Sequence, residues 1–288
     1  MVSDKQFVKE FEQNVKSTIK KFNLINPKDK VLVAVSGGKD STTVLYLLKK
    51  FGYDVEAVTV DVGVGAFSEV NLKNLEKFCR EQDVLLHELS FKDEFGCSIE
   101  SAQSLLKKKG INMRSCAVCG VLRRYLINRF VRKNKAAKVA TGHNASDEAQ
   151  VYLMNLLKNK QEMNARLGPM PGLIRSRLFV PRIKPLYLVI EDDVERYSRI
   201  MDFPVKYGRC PCAFDAYRNY IRDFLDKYKK INPDVHLNIV KHFLKELPKL
   251  QKRFATDKQP NECSKCGEPA KAKVCRTCQI LSYLKKAS

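Results

Sequence analysis

No apolar run in the sequence is long enough to span a bilayer, and no signal-peptide core follows the first residues. Those absences set aside membrane-spanning and secreted readings and make a cytoplasmic protein the expectation. Acid is scarce: 32 Asp and Glu stand against 53 Lys and Arg, a formal net charge of +21. The excess points to a polyanionic partner, a nucleic acid or an anionic membrane surface, although a lysine-rich proteome produces the same imbalance. Internal repeats and low-complexity segments are missing too, which excludes solenoids and disordered arrays. No cysteine precedes Cys79, and the ten that occur are poor disulfide formers in a reducing compartment. Eight of them fall in Cys-x-x-Cys or Cys-x-Cys pairs, the spacing of metal ligands or reactive thiols, while Cys79 and Cys97 stand alone and read as ordinary small residues.

What is present is organised around residues 31–45. Five apolar residues, Val31 to Val35, read as a buried parallel strand. Ser36-Gly37-Gly38-Lys39-Asp40-Ser41 then turns directly into an amphipathic helix carrying Val44, Leu45, Leu47 and Leu48. The glycine pair lets the backbone approach an anion, and the free amides at the helix start hold a phosphate. Lys39 adds positive charge and the two serines add hydroxyls. The loop is too short for the ATPase P-loop. In this strand–helix context Ser-Gly-Gly-Lys-Asp-Ser resembles the PP-loop of the N-type ATP pyrophosphatases, which implies ATP binding and cleavage between the α and β phosphates.

A chain of 288 residues can bury a sizeable core and carry a small appendage. Apolar positions Phe7, Phe11, Val15, Ile19 and Phe22 predict a packed N-terminal helix within 1–28. Strands are expected at 54–62, 84–90 and 137–141, with helices near 69–82, 98–109 and 117–132. That alternation predicts an α/β fold with a doubly wound parallel sheet and its ligand at the strand C-termini. The nucleotide domain covers 29–190. Residues 179–185 look extended, and a helical extension over 191–258 has segments near 191–202, 213–230 and 234–253. A last unit spans 259–288.

That last unit contains Cys263-x-x-Cys266 and Cys275-x-x-Cys278, a pattern suited to a tetrahedral Zn2+ tetrathiolate with no open position. The unit is too small for its own hydrophobic core, so the metal supplies its folding energy. Its lysines and Arg276 are either a nucleic-acid contact or a solvated basic face. Cys116-x-x-Cys119 precedes Arg123 and Arg124 on a helix, and Cys210-Pro-Cys212 follows far along the chain. The first pair alone fits a redox dithiol, half a zinc site or a cluster site, and the nearby arginines should lower the thiol pKa values. Thr141-Gly142-His143-Asn144-Ala-Ser146-Asp147-Glu148 lies at a strand-to-helix turn. Ser146 or Asn144 can cap the helix, Asp147 either complements its dipole or faces the nucleotide, and His143 reads as a hydrogen-bonded turn residue rather than a base.

Taken together, these motifs resemble the TtcA/TtuA group of PP-loop tRNA thiolases over residues from about 30 to the end. The likeness includes Arg-x-Lys-Pro-Leu at 182–186, Cys-Pro-x-Ala at 210–213, Arg-Asn-x-Ile-Arg-Asp-Phe-Leu at 218–225 and the terminal ribbon, and is nearest the 2-thiouridine branch. It implies an adenine nucleotide alpha hydrolase-like sheet. The implied activity is an ATP-dependent tRNA sulfurtransferase that adenylates the C2 oxygen of a uridine and replaces it with sulfur, releasing AMP and pyrophosphate. By resemblance Cys116, Cys119 and Cys210 hold a 4Fe-4S cluster, Ser36, Gly37, Gly38, Lys39, Asp40 and Ser41 take the ATP phosphates, and Val60, Gly142 and Asp147 are further nucleotide contacts, Asp147 through Mg2+. Arg123, a lysine in some relatives, is assigned to charge stabilisation. Further implied partners are tRNA, a sulfur donor (sulfide, persulfide or a ubiquitin-like thiocarboxylate carrier) and a second copy in a homodimer.

Two departures qualify the resemblance. Most relatives of this branch begin with a further cysteine-pair zinc finger, and no cysteine precedes Cys79 here. Cys212 stands where relatives of this branch usually carry another residue: a spare thiol by default, with a persulfide carrier or an alternative ligand as the other readings. Alternatives are thiolation by a cysteine persulfide without a cluster, another PP-loop adenylating enzyme, or a non-catalytic tRNA-binding paralogue.

Overall fold

The computed structural model describes residues 3–213 and 217–285. An amphipathic helix, α1 (Asp4–Lys21), comes first. Ser3 caps it by accepting the amide of Gln6, and Phe11, Val15 and Ile19 are buried. The nucleotide-binding half then alternates: β1 (Val31–Ala34), α2 (Lys39–Lys50), β2 (Val55–Asp61), α3 (Gly65–Glu81), β3 (Leu86–Ser90). A short α4 (Phe91–Phe95), α5 (Ile99–Lys108) and α6 (Ser115–Lys133) lead to β4 (Lys138–Thr141) and α7 (Ala145–Leu157). After α8 (Gln161–Asn164) a long strap reaches β5 (Arg182–Ile183). Then come α9 (Glu191–Ile200), a single 3-10 turn at Pro211–Ala213, α10 (Tyr217–Lys229) and α11 (Val235–Arg253). The chain closes on a small antiparallel pair, β6 (Asn261–Glu262) and β7 (Pro269–Ala270), and α12 (Arg276–Leu284).

The five strands of the main sheet are parallel in the order β3-β2-β1-β4-β5. The strand order therefore reverses between β1 and β4, and at such a point the loops after the two strands diverge and leave a crevice. Val31, Leu32 and Val33 are fully buried in the central strand, which explains why it reads as an unbroken apolar run. One core layer packs α1, α2 and α9 on the sheet through Phe11, Leu45, Leu48 and Tyr197. On the opposite side α5, α6 and α12 share a cluster containing Leu106, Val118, Leu122 and Ile280.

Several boundaries differ from expectation. α3 begins at Gly65 rather than near 69, because Val64 already accepts the amides of Phe67 and Ser68. Within the extended stretch 179–185 only Arg182 and Ile183 pair with β4. The helix expected from 213 is described from Tyr217, and residues 214–216 lie outside the described ones.

Candidate functional site

β1 ends at Ala34, and the chain turns through Ser36–Gly38 into α2 at the switch point. Gly37 has φ of 74°, and a Cβ there would stand 2.8 Å from the carbonyl oxygen of Asn71, so glycine is required. Gly38 caps α2 without a side-chain hydrogen bond, leaving the first helical amides open to an anion. Ser41 holds the turn: its Oγ accepts the Ser36 amide at 3.1 Å and donates to the Gly38 carbonyl at 3.2 Å. Gly142, just after β4, backs onto the same loop, since a Cβ there would lie 2.6 Å from the Ser41 amide nitrogen. Asn144, not Ser146, caps α7 by accepting the Asp147 amide, and its Nδ2 donates to Asp40 Oδ1 at 3.0 Å. The Ser146 hydroxyl accepts the amide of Glu191 instead.

Lys39, expected to meet the ATP phosphates, lies between two carboxylates. Its ammonium pairs with Asp40 at 3.1 Å and Glu191 at 3.0 Å rather than lining the crevice. Burial alone would lower its pKa, but the two carboxylates hold it above the ordinary value. Asp40 is raised by burial and by Asp147, against the pull of Lys39. Burial would raise Asp147 as well, but Arg218 Nη2 donates to its Oδ1 at 2.7 Å and holds it low. Desolvation inside the crevice, then Lys184, Arg218 and Arg182, push His143 down to about 4 against the attraction of Asp147. The ring is thus neutral at pH 7, with Nδ1 3.0 Å from Thr141 Oγ1.

Arg218→Met should release Asp147. The folded carboxyl titrates below its ordinary 3.8, so its contribution to stability is present above 3.8 and is lost as pH falls through the folded pKa. In the variant the folded pKa should rise toward the ordinary value, because burial is then opposed only by His143, the Asn144 amide and Arg222, and the stability contributed above 3.8 should shrink accordingly. A carboxyl NMR titration reads the shift, and an unmoved curve would remove Arg218 from this role.

Cys116 and Cys119 sit in the first turn of α6, whose N-cap Arg114 makes no side-chain capping bond. Cys210 and Cys212 flank the start of the 3-10 turn packed on that helix, and Cys119, Cys210 and Cys212 border one apolar cluster. The Cys116 thiol reaches the Cys212 carbonyl at 3.8 Å, and Arg123 Nη2 donates to Cys119 Sγ at 3.3 Å. Burial first, then Cys210, pushes the Cys212 thiol up to about 11. No disulfide involves any of the ten cysteines.

The PP-loop, Val60, Gly142, Asp147, Arg123 and the two cysteine pairs all open on one cavity of about 2200 Å³. Gly37 and Lys39 are outside its lining. Four participants escaped assignment from the sequence. Arg218 lies in a motif read as Arg-Asn-x-Ile-Arg, but only the packing of α10 on α7 brings it to Asp147. Glu191 meets Lys39 from far along the chain. Glu148 and Lys184 form a buried ion pair of 2.6 Å directly behind Asp147. The nearest available signal was the polar–apolar conflict of a lysine before Pro-Leu at a buried edge.

The terminal unit forms another wall of the cavity. Cys263, Cys266, Cys275 and Cys278 place their sulfurs within 4.8 Å of one another, and among the described residues no other His, Cys, Asp or Glu group is gathered this way. Burial would raise Cys263, but amides led by that of Cys275 at 3.2 Å hold it at about 6. The unit is docked rather than tethered: Glu268 accepts from Arg132 at 3.1 Å and from Asn128 at 3.0 Å. Ile280, fully buried against α6, contributes about 1.5–3 kcal/mol to that docking.

Comparison with known proteins matches residues 7–227 to the family model of the PP-loop domain. The tRNA-5-methyluridine(54) 2-sulfurtransferase of Thermotoga maritima is 33% identical, covering 98% of this chain and 90% of its own length. The tRNA 2-thiolation protein NcsA of Haloferax volcanii is 30% identical over 98% and 92%. Among solved structures, the U34-tRNA thiolase NcsA of Methanococcus maripaludis, determined with its 4Fe-4S cluster, superposes with a TM-score of 0.79 at 26% identity, covering 99% of this chain and 90% of that one.

Proposed function

The chain belongs to the PP-loop domain family, and on that premise we propose that it is an ATP-dependent tRNA 2-thiolase. The observation that carries the reading is the shared cavity: an anion-binding PP-loop and the thiols of Cys116, Cys119 and Cys210 face the same space, with Arg123 beside Cys119. The names and activities of the curated relatives support it.

In this mechanism the open amides of α2, with Ser36 and Ser41, hold the ATP phosphates, while Val60 and Gly142 shape the nucleotide side. Asp40 and Asp147, linked through Asn144, are the carboxylates that would share Mg2+ with those phosphates, a donor set that suits the ion. The uridine C2 oxygen attacks the α phosphorus and pyrophosphate leaves. A sulfur nucleophile from the cysteine side then adds at C2, and AMP departs with the former C2 oxygen. The three thiols, brought from a helix start and a separate loop to one cavity, fit a 4Fe-4S cluster in donor chemistry. When bound there, it would supply an iron position with no protein ligand for a sulfur atom. Arg123 neutralises negative charge beside Cys119. The persulfide alternative uses the same cysteines, and iron and labile-sulfide analysis of anaerobically prepared protein separates the two.

Position-resolved mass spectrometry of tRNA nucleosides from cells with and without the gene tests the reading. Loss of 2-thiouridine at one position is expected, and unchanged thiolation at every position would overturn it.

The four gathered thiols of the terminal unit support a structural Zn2+ site. Cys263→Ala should release the metal and unfold residues 260–285 locally, since such sites supply most of the folding free energy of small units. Metal analysis and thermal melting check this, and unchanged zinc content would refute the assignment.

A further inference from the structure

The cavity is larger than the roughly 300–1,000 Å³ that suffices for a small ligand. Its excess lies away from the PP-loop, between the terminal unit and the strap joining α8 to β5. The strap is held firmly. Ser176 and Phe179 close a β-turn through a 3.0 Å backbone bond, and Asn128 of α6 clamps it on both sides, donating to the Leu178 carbonyl and accepting the Val180 amide. Leu178 is buried beneath the turn.

What the strap presents is unusual for so well fixed a loop. Arg175 and Arg177 are exposed, Arg177 with 88% of its side chain accessible, as is Arg182 in β5 just beyond, and Phe179, 47% exposed, lines the same cavity. Arg177 has a carboxylate, Glu262 at 3.4 Å, but both partners are solvated, so that pair contributes little. Arg124 and Arg182 line the same cavity beside the strap. An anion is the natural occupant of that field, and a phenyl face amid guanidiniums offers a base somewhere to stack.

We propose that this strap is an RNA-binding element of the cavity, in which Arg175 and Arg177 hold phosphates and Phe179 stacks on a base of a single-stranded tRNA loop. The inference rests on the tRNA-thiolase reading and specifies how the substrate enters. Stacking on Phe179 places the unpaired loop across the cavity mouth, so that an adjacent uridine extends toward the PP-loop and the cysteines. An acidic protein would satisfy the arginines but has no use for an isolated, exposed phenyl ring at this point.

The test uses the full-length protein with two probes, in vitro transcribed tRNA and heparin, a polyanion without bases. Phe179→Leu should weaken tRNA binding about tenfold and leave heparin binding unchanged, while Phe179→Trp should bind tRNA like the parent protein. Arg175→Ala with Arg177→Ala should weaken both probes and flatten the dependence of log K for tRNA on log salt by about 1.4. ATP binding should be unaffected in all variants and serves as the folding control. Phe179→Leu binding tRNA as well as the parent, or losing heparin equally, would overturn the inference while leaving the thiolase reading intact. Failure of the unaltered protein to bind or thiolate any tRNA would overturn both.

Discussion

Cys210→Ala is expected to reduce tRNA thiolation to background, with ATP affinity kept within about twofold. The asymmetry follows from the geometry. The PP-loop is shaped by Ser41, Gly37, Gly142 and Asn144, and among the described residues none of their hydrogen bonds or close contacts involves the loop that carries Cys210. Cys210 instead borders the floor beneath Cys119. If Cys210 is one of three cluster ligands as proposed, its loss should cost more than the roughly 10- to 100-fold that follows loss of an outer-shell partner of a metal site. Cys212→Ser should retain most turnover, since burial keeps that thiol protonated at neutral pH. Single-turnover thiolation of tRNA, paired with calorimetry of ATP binding and an iron assay, reads all three quantities. Undiminished turnover in Cys210→Ala would remove the residue from the sulfur-transfer site.

The second large effect is on stability. Lys184 and Glu148 are 7% and 3% exposed and lie 2.6 Å apart, and among the described residues Glu148 Oε2 and the Tyr187 hydroxyl have no hydrogen-bond partner. Lys184→Met would leave Glu148 buried without its cation, a change that costs about 3–5 kcal/mol. For a chain of this size the melting temperature should fall by roughly 10 °C. The pH dependence has a definite sign. Burial already raises Glu148 above its ordinary 4.5 despite Lys184, so removing the lysine raises it further. A carboxyl with a raised folded pKa destabilises the fold when ionised. The deficit should therefore be greatest above that pKa and shrink as pH falls through it toward 4.5. Pairing the change with Glu148→Met should recover much of the loss, because two apolar side chains leave no charge uncompensated. Melting curves from pH 8 to pH 5 would show this, and a loss below about 1 kcal/mol at neutral pH would mean that water reaches the pair. The pair also matters to the site, because Glu148 adjoins Asp147 and Lys184 directly follows β5, where the strap ends.

Much of the site was readable before any coordinates. Ser36 to Ser41 between an apolar run and an amphipathic helix reads as an anion-binding turn, because glycine pairing and helix-start amides are local properties. The four terminal cysteines were readable for a similar reason: their pair spacing fixes short turns that aim sulfurs together. The alternation of strands and helices was enough to expect a parallel doubly wound sheet. Boundaries were less legible where the determining bond was a turn closed by backbone alone, as at Val64, or where pairing depended on an edge partner, as at β5.

Lys39 illustrates the limit of local reading. Adjacent to glycines it reads as a phosphate ligand, and only the fold shows that Glu191 of α9 also meets its ammonium. Arg218 and Asp147 are paired only because α10 packs on α7. Cys210 joins Cys116 and Cys119 only because the 3-10 turn rests on α6, and the strap faces the terminal unit only because Asn128 and Glu268 tie both to that helix. The sequence by itself determined the chemistry available, an anion turn, clustered thiols and a large positive charge, because those depend on residue type and short spacing. The tertiary structure alone decided which of these groups share a cavity and which charges neutralise each other, because Coulomb and packing terms depend on distances between segments far apart in the chain.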